Sequence, residues 1–208
     1  MSSAFEIAVR VPCYNEAAAI EKVVKDFKAA LPSARIYVYD NNSTDNTIEV
    51  ATAAGAIVRR ELRKGKGNVV RRMFQDIEAD AYVMVDGDDT YDAARAQELV
   101  DKLVTDNLDM VVGRRIETHD AAYRAGHRLG NAVLTGLVRK LFDAKIQDML
   151  SGYRVFSRRF VKSFPAFSRE FEIETELTVH AMQMKMAVAE VDTNYKERPP
   201  GSTSKLRT

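Results

Sequence analysis

At 208 residues, the chain is long enough for one domain with a real core, or at most two small ones. Its 46% hydrophobic and 29% charged residues are ordinary for a soluble globular protein, and no stretch approaches the ~20 apolar residues of a membrane span. The N-terminus lacks the basic region and apolar core of a secretory signal, and the lone Cys13 excludes an internal disulfide and a cysteine-based zinc site. The net charge of +1 hides an asymmetry: residues 1–110 carry −5, residues 111–165 carry +7 and residues 166–208 carry −1. Such a basic block is either a solvated cationic face or a surface for an anionic partner.

In chain order, residues 7–11 read as a first strand ending in a turn at Pro12-Cys-Tyr-Asn-Glu16. Ile20, Val23, Val24 and Phe27 then share one helical face, closed by Pro32. Residues 35–39 are a second strand, running into Asp40-Asn-Asn-Ser-Thr-Asp45. Ser43 or Thr44 is expected to cap a helix that ends at Gly55. Residues 56–59 are a third strand. Arg63-Lys-Gly-Lys-Gly-Asn68 follows and opens a helix through Ile77. Its two glycines would either let the backbone approach an anion or serve a flexible basic loop, and the spacing is not that of a P-loop.

Residues 81–85 are a buried strand by their Val and Tyr content. They stop at Asp86-Gly-Asp-Asp89. Crowded carboxylates repel one another unless a cation joins them, and Mg²⁺ takes one or two carboxylates plus phosphate oxygens. A solvated acidic turn is the alternative. A helix over 93–107 and a strand over 110–112 complete a regular strand–helix alternation. That alternation predicts an α/β fold: a mainly parallel sheet with helices on both faces. The polar turns at 12–16, 40–45 and 86–91 then fall at strand ends on one side of the sheet, where ligands bind.

The second half reads as a basic amphipathic helix over about 123–142, for a membrane surface, a core or a homo-oligomer contact. A polar turn at 148–154 leads into a strand over 153–156. A helix over 171–186, a strand over 187–195 and a Pro/Gly/Ser tail close the chain. His119, His127 and His180 form no ligand spacing and read as structural or solvated. No hydrolase triad is supported. The basic block lacks the interleaved aromatics of single-strand nucleic-acid binders.

Six motifs occur in order: Val11-Pro-Cys-Tyr-Asn-Glu16, Asp40-Asn-Asn-Ser-Thr-Asp45, Lys64-Gly-Lys-Gly67, Asp86-Gly-Asp-Asp89, Ser151-Gly-Tyr-Arg154 and Gly201-Ser-Thr-Ser-Lys-Leu206. Together they resemble family 2 glycosyltransferases of the GT-A fold, in the branch of dolichyl- or polyprenyl-phosphate sugar synthases. The resemblance implies one catalytic domain over 1–208, with a nucleotide-sugar half (1–113) and an acceptor half (114–208). It implies that Pro12, Tyr14, Glu16 and Asp40 line the nucleoside pocket, and that Lys66 and Ser204 belong to the donor site. Asp86 and Asp88 would be the Asp-x-Asp pair, Asp86 towards the nucleotide and Asp88 on Mg²⁺ or Mn²⁺. The branch often carries Gln two residues beyond the second Asp, where this chain has Thr90. Arg198, Ser204 and Lys205 resemble the basic loop that closes on the diphosphate, and Arg115 and Arg128 resemble arginines that hold an acceptor phosphate.

The implied reaction is inverting transfer of a hexose from a UDP-glucose- or GDP-mannose-type donor to a polyprenyl or dolichyl phosphate. An ionised phosphate attacks without a general base; a hydroxyl acceptor needs one, and Asp148 is the candidate. The alternatives are that hydroxyl acceptor, or a non-catalytic nucleotide or anionic-lipid binding module. Synthases of this branch often continue into membrane helices. The chain stops just past Leu206, which fits either a soluble fragment or an enzyme at the cytoplasmic face of a membrane.

Overall fold

The computed structural model describes residues 5–117 and 146–202. Residues 118–145 and 203–208 lie outside it, and with them the expected helix over 123–142, Arg128, Ser204 and Lys205. One seven-stranded sheet runs through the described residues. Its strands are β1 (Ile7–Cys13), β2 (Arg35–Asp40), β3 (Ile57–Arg60), β4 (Ala81–Met84), β5 (Met110–Glu117), β6 (Arg154–Ser157) and β7 (Val188–Tyr195). Their order is β3-β2-β1-β4-β6-β5-β7. Strand β6 is antiparallel to both neighbours, β4 and β5, and every other pairing is parallel.

The two-residue period of β1 explains the layers. Ile7, Val9, Val11 and Cys13 face a core closed by α1 (Ile20–Ala30), α2 (Thr47–Ala53) and α4 (Ala96–Thr105). Ala8 faces the other core with Tyr37, Tyr39, Tyr82 and Met84, under α3 (Lys66–Asp76), α5 (Arg158–Ser163) and α6 (Ile173–Gln183). Helix α1 shows the logic of the whole: Ile20, Val23, Val24 and Phe27 are its buried residues, and burying a side chain like Phe27 contributes about 2–3 kcal/mol. One residue of β1 defies the apolar pattern. Arg10 is fully buried, its guanidinium 4.4 Å from the ring centroids of both Phe74 and Tyr82. Burial pulls its pKa down to about 9.

Several expected boundaries move. Helix α2 starts at Thr47, and Asp45, rather than Ser43 or Thr44, holds its first turn by accepting from the Thr47 N–H at 3.1 Å. Ser43 instead accepts from the Asn15 N–H at 2.9 Å, so it ties two loops together. Strand β5 continues past Gly113 to Glu117 because β7 pairs with it along that whole length. The helix expected over 93–107 is a 3₁₀ turn (Ala93–Arg95) followed by α4. Helix α5 was not expected at all; Ser157 caps it by accepting from the Phe160 N–H at 3.1 Å.

Strand β1 is flanked by β2 on one side and β4 on the other. The chain therefore winds outward in both directions from the β1/β4 boundary, and a crevice opens beyond the carboxyl ends of such strands. The turns after β1, β2 and β4 all lie there.

Candidate active site

The Cys13 thiol, at the end of β1, packs under Gly87; a Cβ on Gly87 would meet its Sγ at 2.5 Å. Burial pushes the thiol pKa well up, and Glu16, Asp40, Asp86 and Asp88 push it further. Cys13 is therefore a neutral floor to the site and no nucleophile.

Each acidic residue of the 86–89 turn carries its own cation. Lys66, the first residue of α3, is 2.5 Å from Asp86 Oδ1 and also pairs with Glu174 in the first turn of α6. Burial alone would lower the Lys66 pKa, but these two carboxylates hold it above the ordinary lysine value. Arg198 directs both Nε and Nη2 at Asp88 Oδ2, each at 2.7 Å. The other oxygen, Oδ1, accepts from the Thr90 hydroxyl at 2.6 Å and from the Thr90 N–H at 3.3 Å. Asp89, with φ at 56°, turns away to Lys196 at 2.9 Å and Lys22 at 3.4 Å. The repulsion expected among these carboxylates is thus met from within the chain.

Asp86 is braced a second way. A Cβ on Gly152 would lie 2.3 Å from Asp86 Oδ2, so only glycine lets the 151–153 backbone run against that carboxylate. The Gly152 N–H donates to the buried Tyr91 hydroxyl at 2.8 Å. Arg154, fully buried, fixes the same turn: its Nε donates to Ser151 O at 2.9 Å, and its Nη2 donates to Met149 O and to Glu174 O.

The glycines of Lys64-Gly-Lys-Gly67 have a different reason from the one expected. A Cβ on Gly65 would meet Arg169 O at 2.2 Å, and one on Gly67 would meet Ser168 O at 2.2 Å. They admit the protein's own 168–169 backbone, to which the Gly67 N–H donates at 3.0 Å. The anion-cradle reading of these glycines is corrected accordingly.

Of the remaining expected site residues, Pro12 and Tyr14 sit at the open end of β1 and in the turn that follows, with Tyr14 exposed. Asp40 is fully buried and accepts from the Asn42 and Ser43 N–H groups, both at 3.2 Å. Glu16 accepts from the Ser202 hydroxyl at 2.8 Å. Arg115, on β5, donates from Nε and Nη2 to the two oxygens of Asp148, each at 2.7 Å. Burial opposes its charge, yet Asp148 keeps its pKa raised. Asp148 is thereby paired with Arg115 through both oxygens. Its own N–H and that of Gln147 donate to Glu190.

Sequence reasoning missed Glu174, Gly152, Tyr91 and Ser202. Glu174 is one of four acids in Glu170-x-Glu172-x-Glu174-x-Glu176, with nothing local to single it out. Gly152 and Ser202 lie inside the 151–154 and 201–206 motifs, so a signal for them existed.

The donor set suits a hard divalent cation. Asp86 and Asp88 already receive cationic nitrogens, and their oxygens are the ligand type Mg²⁺ and Mn²⁺ take. No group of three potential ligand residues converges among the described residues. A bound phosphate would have to complete the shell.

Comparison with known proteins points the same way. Residues 8–164 match the family described as Glycosyl transferase family 2. Protein RfbJ of Shigella flexneri is 60% identical over 129 residues, which is 62% of this chain and 100% of that protein. A dolichyl-phosphate hexose transferase of Haloferax volcanii is 28% identical over 193 residues, 93% of this chain and 84% of that one. Glucosyl-3-phosphoglycerate synthase from Mycobacterium tuberculosis, crystallised with Mn²⁺, uridine diphosphate and phosphoglyceric acid, shares the fold. Its TM-score is 0.75 at 24% identity, over 95% of this chain and 72% of that one. With its sheet order, its acidic turn at the β1/β4 crevice and a family match over residues 8–164, the chain belongs to glycosyl transferase family 2 and has the GT-A fold.

Proposed function

We infer that this glycosyltransferase moves a hexose, with inversion, from a nucleoside-diphosphate sugar to a polyprenyl or dolichyl phosphate at a membrane surface. The observation that carries the donor half is the arrangement of Asp86 and Asp88, each already paired with a cation, at the crevice beyond β1, β2 and β4. Asp88, with Asp86 beside it, would hold Mg²⁺ or Mn²⁺, which when bound supplies charge to stabilise the leaving diphosphate. Arg198 and Lys66 add fixed positive charge at the same place. The nucleoside would lie over Pro12 and Tyr14, with Glu16 and Asp40 on its polar edge.

The acceptor half rests on Arg115 and on the relative that is a dolichyl-phosphate hexose transferase. Arg115 is held in place by both oxygens of Asp148 and by the Tyr195 ring at 5.4 Å. A phosphate acceptor is already ionised at neutral pH, so it needs a cation to orient it and no base to deprotonate it. Arg115, braced by Asp148, serves that first need. No helix among the described residues is long and apolar enough to cross a membrane.

Incubation with radiolabelled UDP-glucose or GDP-mannose, dolichyl phosphate in detergent and Mn²⁺ tests this reading. Label should move into the organic phase on extraction, only when the lipid is present, and EDTA should stop it. Label that stays in water as a new saccharide would move the acceptor to a hydroxyl. Transfer that ignores EDTA would remove the metal.

The brace on Asp86 makes a second expectation. Gly152→Ala places a methyl group 2.3 Å from Asp86 Oδ2, so the carboxylate must swing off its contact with Lys66. A displacement of that size at a reacting centre costs up to about a hundredfold in rate. The transfer assay should show a loss of about 10–100-fold in a protein that still melts cooperatively. Parent-level activity would mean that Asp86 need not be held.

A further inference from the structure

Residues 196–202 form a strap across the acidic turn. The Lys196 N–H donates to Thr90 O at 3.0 Å, and Lys196 Nζ reaches Asp89. Next along the chain, Arg198 takes Asp88. At the far end, the Ser202 hydroxyl donates to Glu16 at 2.8 Å. The strap therefore spans from the β4 turn, where it holds Asp88, Asp89 and Thr90, to the β1 turn, where it holds Glu16.

Asp88 has no oxygen to spare under this strap. A carboxylate offers about four lone-pair sites. Oδ2 accepts from Arg198 Nε and lies 2.7 Å from the charged Nη2, and Oδ1 accepts from the hydroxyl and N–H of Thr90. The Thr90 bonds close a local turn and stay with it. Any cation that comes to Asp88 must therefore displace Arg198. Asp88 is 4% exposed, and a buried carboxylate cannot stand without a partner. The departure of Arg198 and the arrival of the new cation are thus one event.

We propose that Arg198 is an internal stand-in for the metal ion, so that Asp88 admits a divalent cation only together with a diphosphate that takes Arg198 in exchange. This rests on the reading of Asp88 as a donor-site residue. A hard ion sheds water reluctantly and alone must compete with a guanidinium already held at two contacts. The diphosphate changes the balance, because its oxygens match the guanidinium fork. Metal and nucleotide then strengthen each other's binding by the same factor, as linkage requires. The consequence is a site protected from free cations and opened by the donor.

The test is Mn²⁺ titration of the whole chain, followed by the electron paramagnetic resonance signal of free Mn²⁺. It is run without nucleotide and then with UDP, GDP, CDP and dTDP in turn, whose own binding is read by thermal shift. In the parent protein, the nucleotide that binds should tighten Mn²⁺ about tenfold or more, within the usual range of coupling between sites. In Arg198→Ala and Arg198→Gln, Mn²⁺ alone should bind about tenfold tighter than to the parent, and the nucleotide should add little. Arg198→Lys keeps the charge and should resemble the parent. Equal Mn²⁺ affinity of parent and Arg198→Ala without nucleotide overturns the gate, even if nucleotides bind. Tighter Mn²⁺ in the variants with no nucleotide binding to any of them supports the stand-in and sinks the donor reading instead.

Discussion

Asp88→Asn should slow sugar transfer by about 10²–10³, the usual loss when one charge-stabilising group is removed from a reacting centre. Asparagine has the same shape and still accepts from Thr90, whose hydroxyl sits 2.6 Å from Oδ1. What it removes is the charge that a divalent ion would bind and that Arg198 now neutralises. The fold should survive. The Arg198 side chain is 22% exposed, so it can turn to water, and a lost charged hydrogen bond costs about 1.5–3 kcal/mol. Circular dichroism and a cooperative melt check that half of the expectation; steady-state transfer with saturating Mn²⁺ checks the other. A variant as active as the parent would leave Asp88 as a strap anchor and nothing more.

The layers and their order of appearance were legible because they follow from periodicity. The apolar run along 7–11 and the i, i+3, i+4 face of Ile20, Val23, Val24 and Phe27 are local patterns, and the structure buries those same residues. The acidic turn was legible for a similar reason: an apolar run that stops dead at Asp86 marks a strand end, and in a parallel sheet such ends border the ligand crevice. What the sequence hid was pairing at long range. Glu174 meets Lys66 from 108 positions away, and Arg198 meets Asp88 from 110. No spacing rule reaches across that distance. The two glycines before α3 looked like an anion cradle, because a glycine that admits a phosphate and one that admits a carbonyl leave the same mark in sequence. Only the carbonyls of Ser168 and Arg169, 2.2 Å from where a Cβ would be, tell them apart. The pairing of Asp148 with Arg115 was hidden in the same way, since 33 positions separate them.

The largest effect on stability is expected at Lys66. Its ammonium sits between Asp86 and Glu174, and the Lys66 and Glu174 side chains are 10% and 7% exposed. Lys66→Met keeps the stem that lies along the site and deletes the charge, leaving two carboxylates with no cation between them. Breaking a buried pair in this way costs about 3–5 kcal/mol. The lower end applies because Asp86 retains some contact with water. For a chain of this length, about 3 kcal/mol lowers the melting midpoint by roughly 6–12 °C. The pH dependence identifies the cause. In the parent, Lys66 has a folded pKa raised above 10.5, so its contribution is fully present below that value and is lost only at higher pH. It adds no slope between pH 5 and pH 8. In Lys66→Met, the stranded carboxylates bind protons more readily folded than unfolded. The folded state then gains stability as pH falls, and the deficit should shrink from pH 8 to pH 5. Adding Glu174→Gln should recover part of the loss at pH 8, since one carboxylate of the pair is gone; the double-mutant cycle measures how much. A deficit equal at both pH values, unrelieved by Glu174→Gln, would trace the loss to packing of the lysine stem and leave the ion-pair relay between α3, α6 and the acidic turn without support.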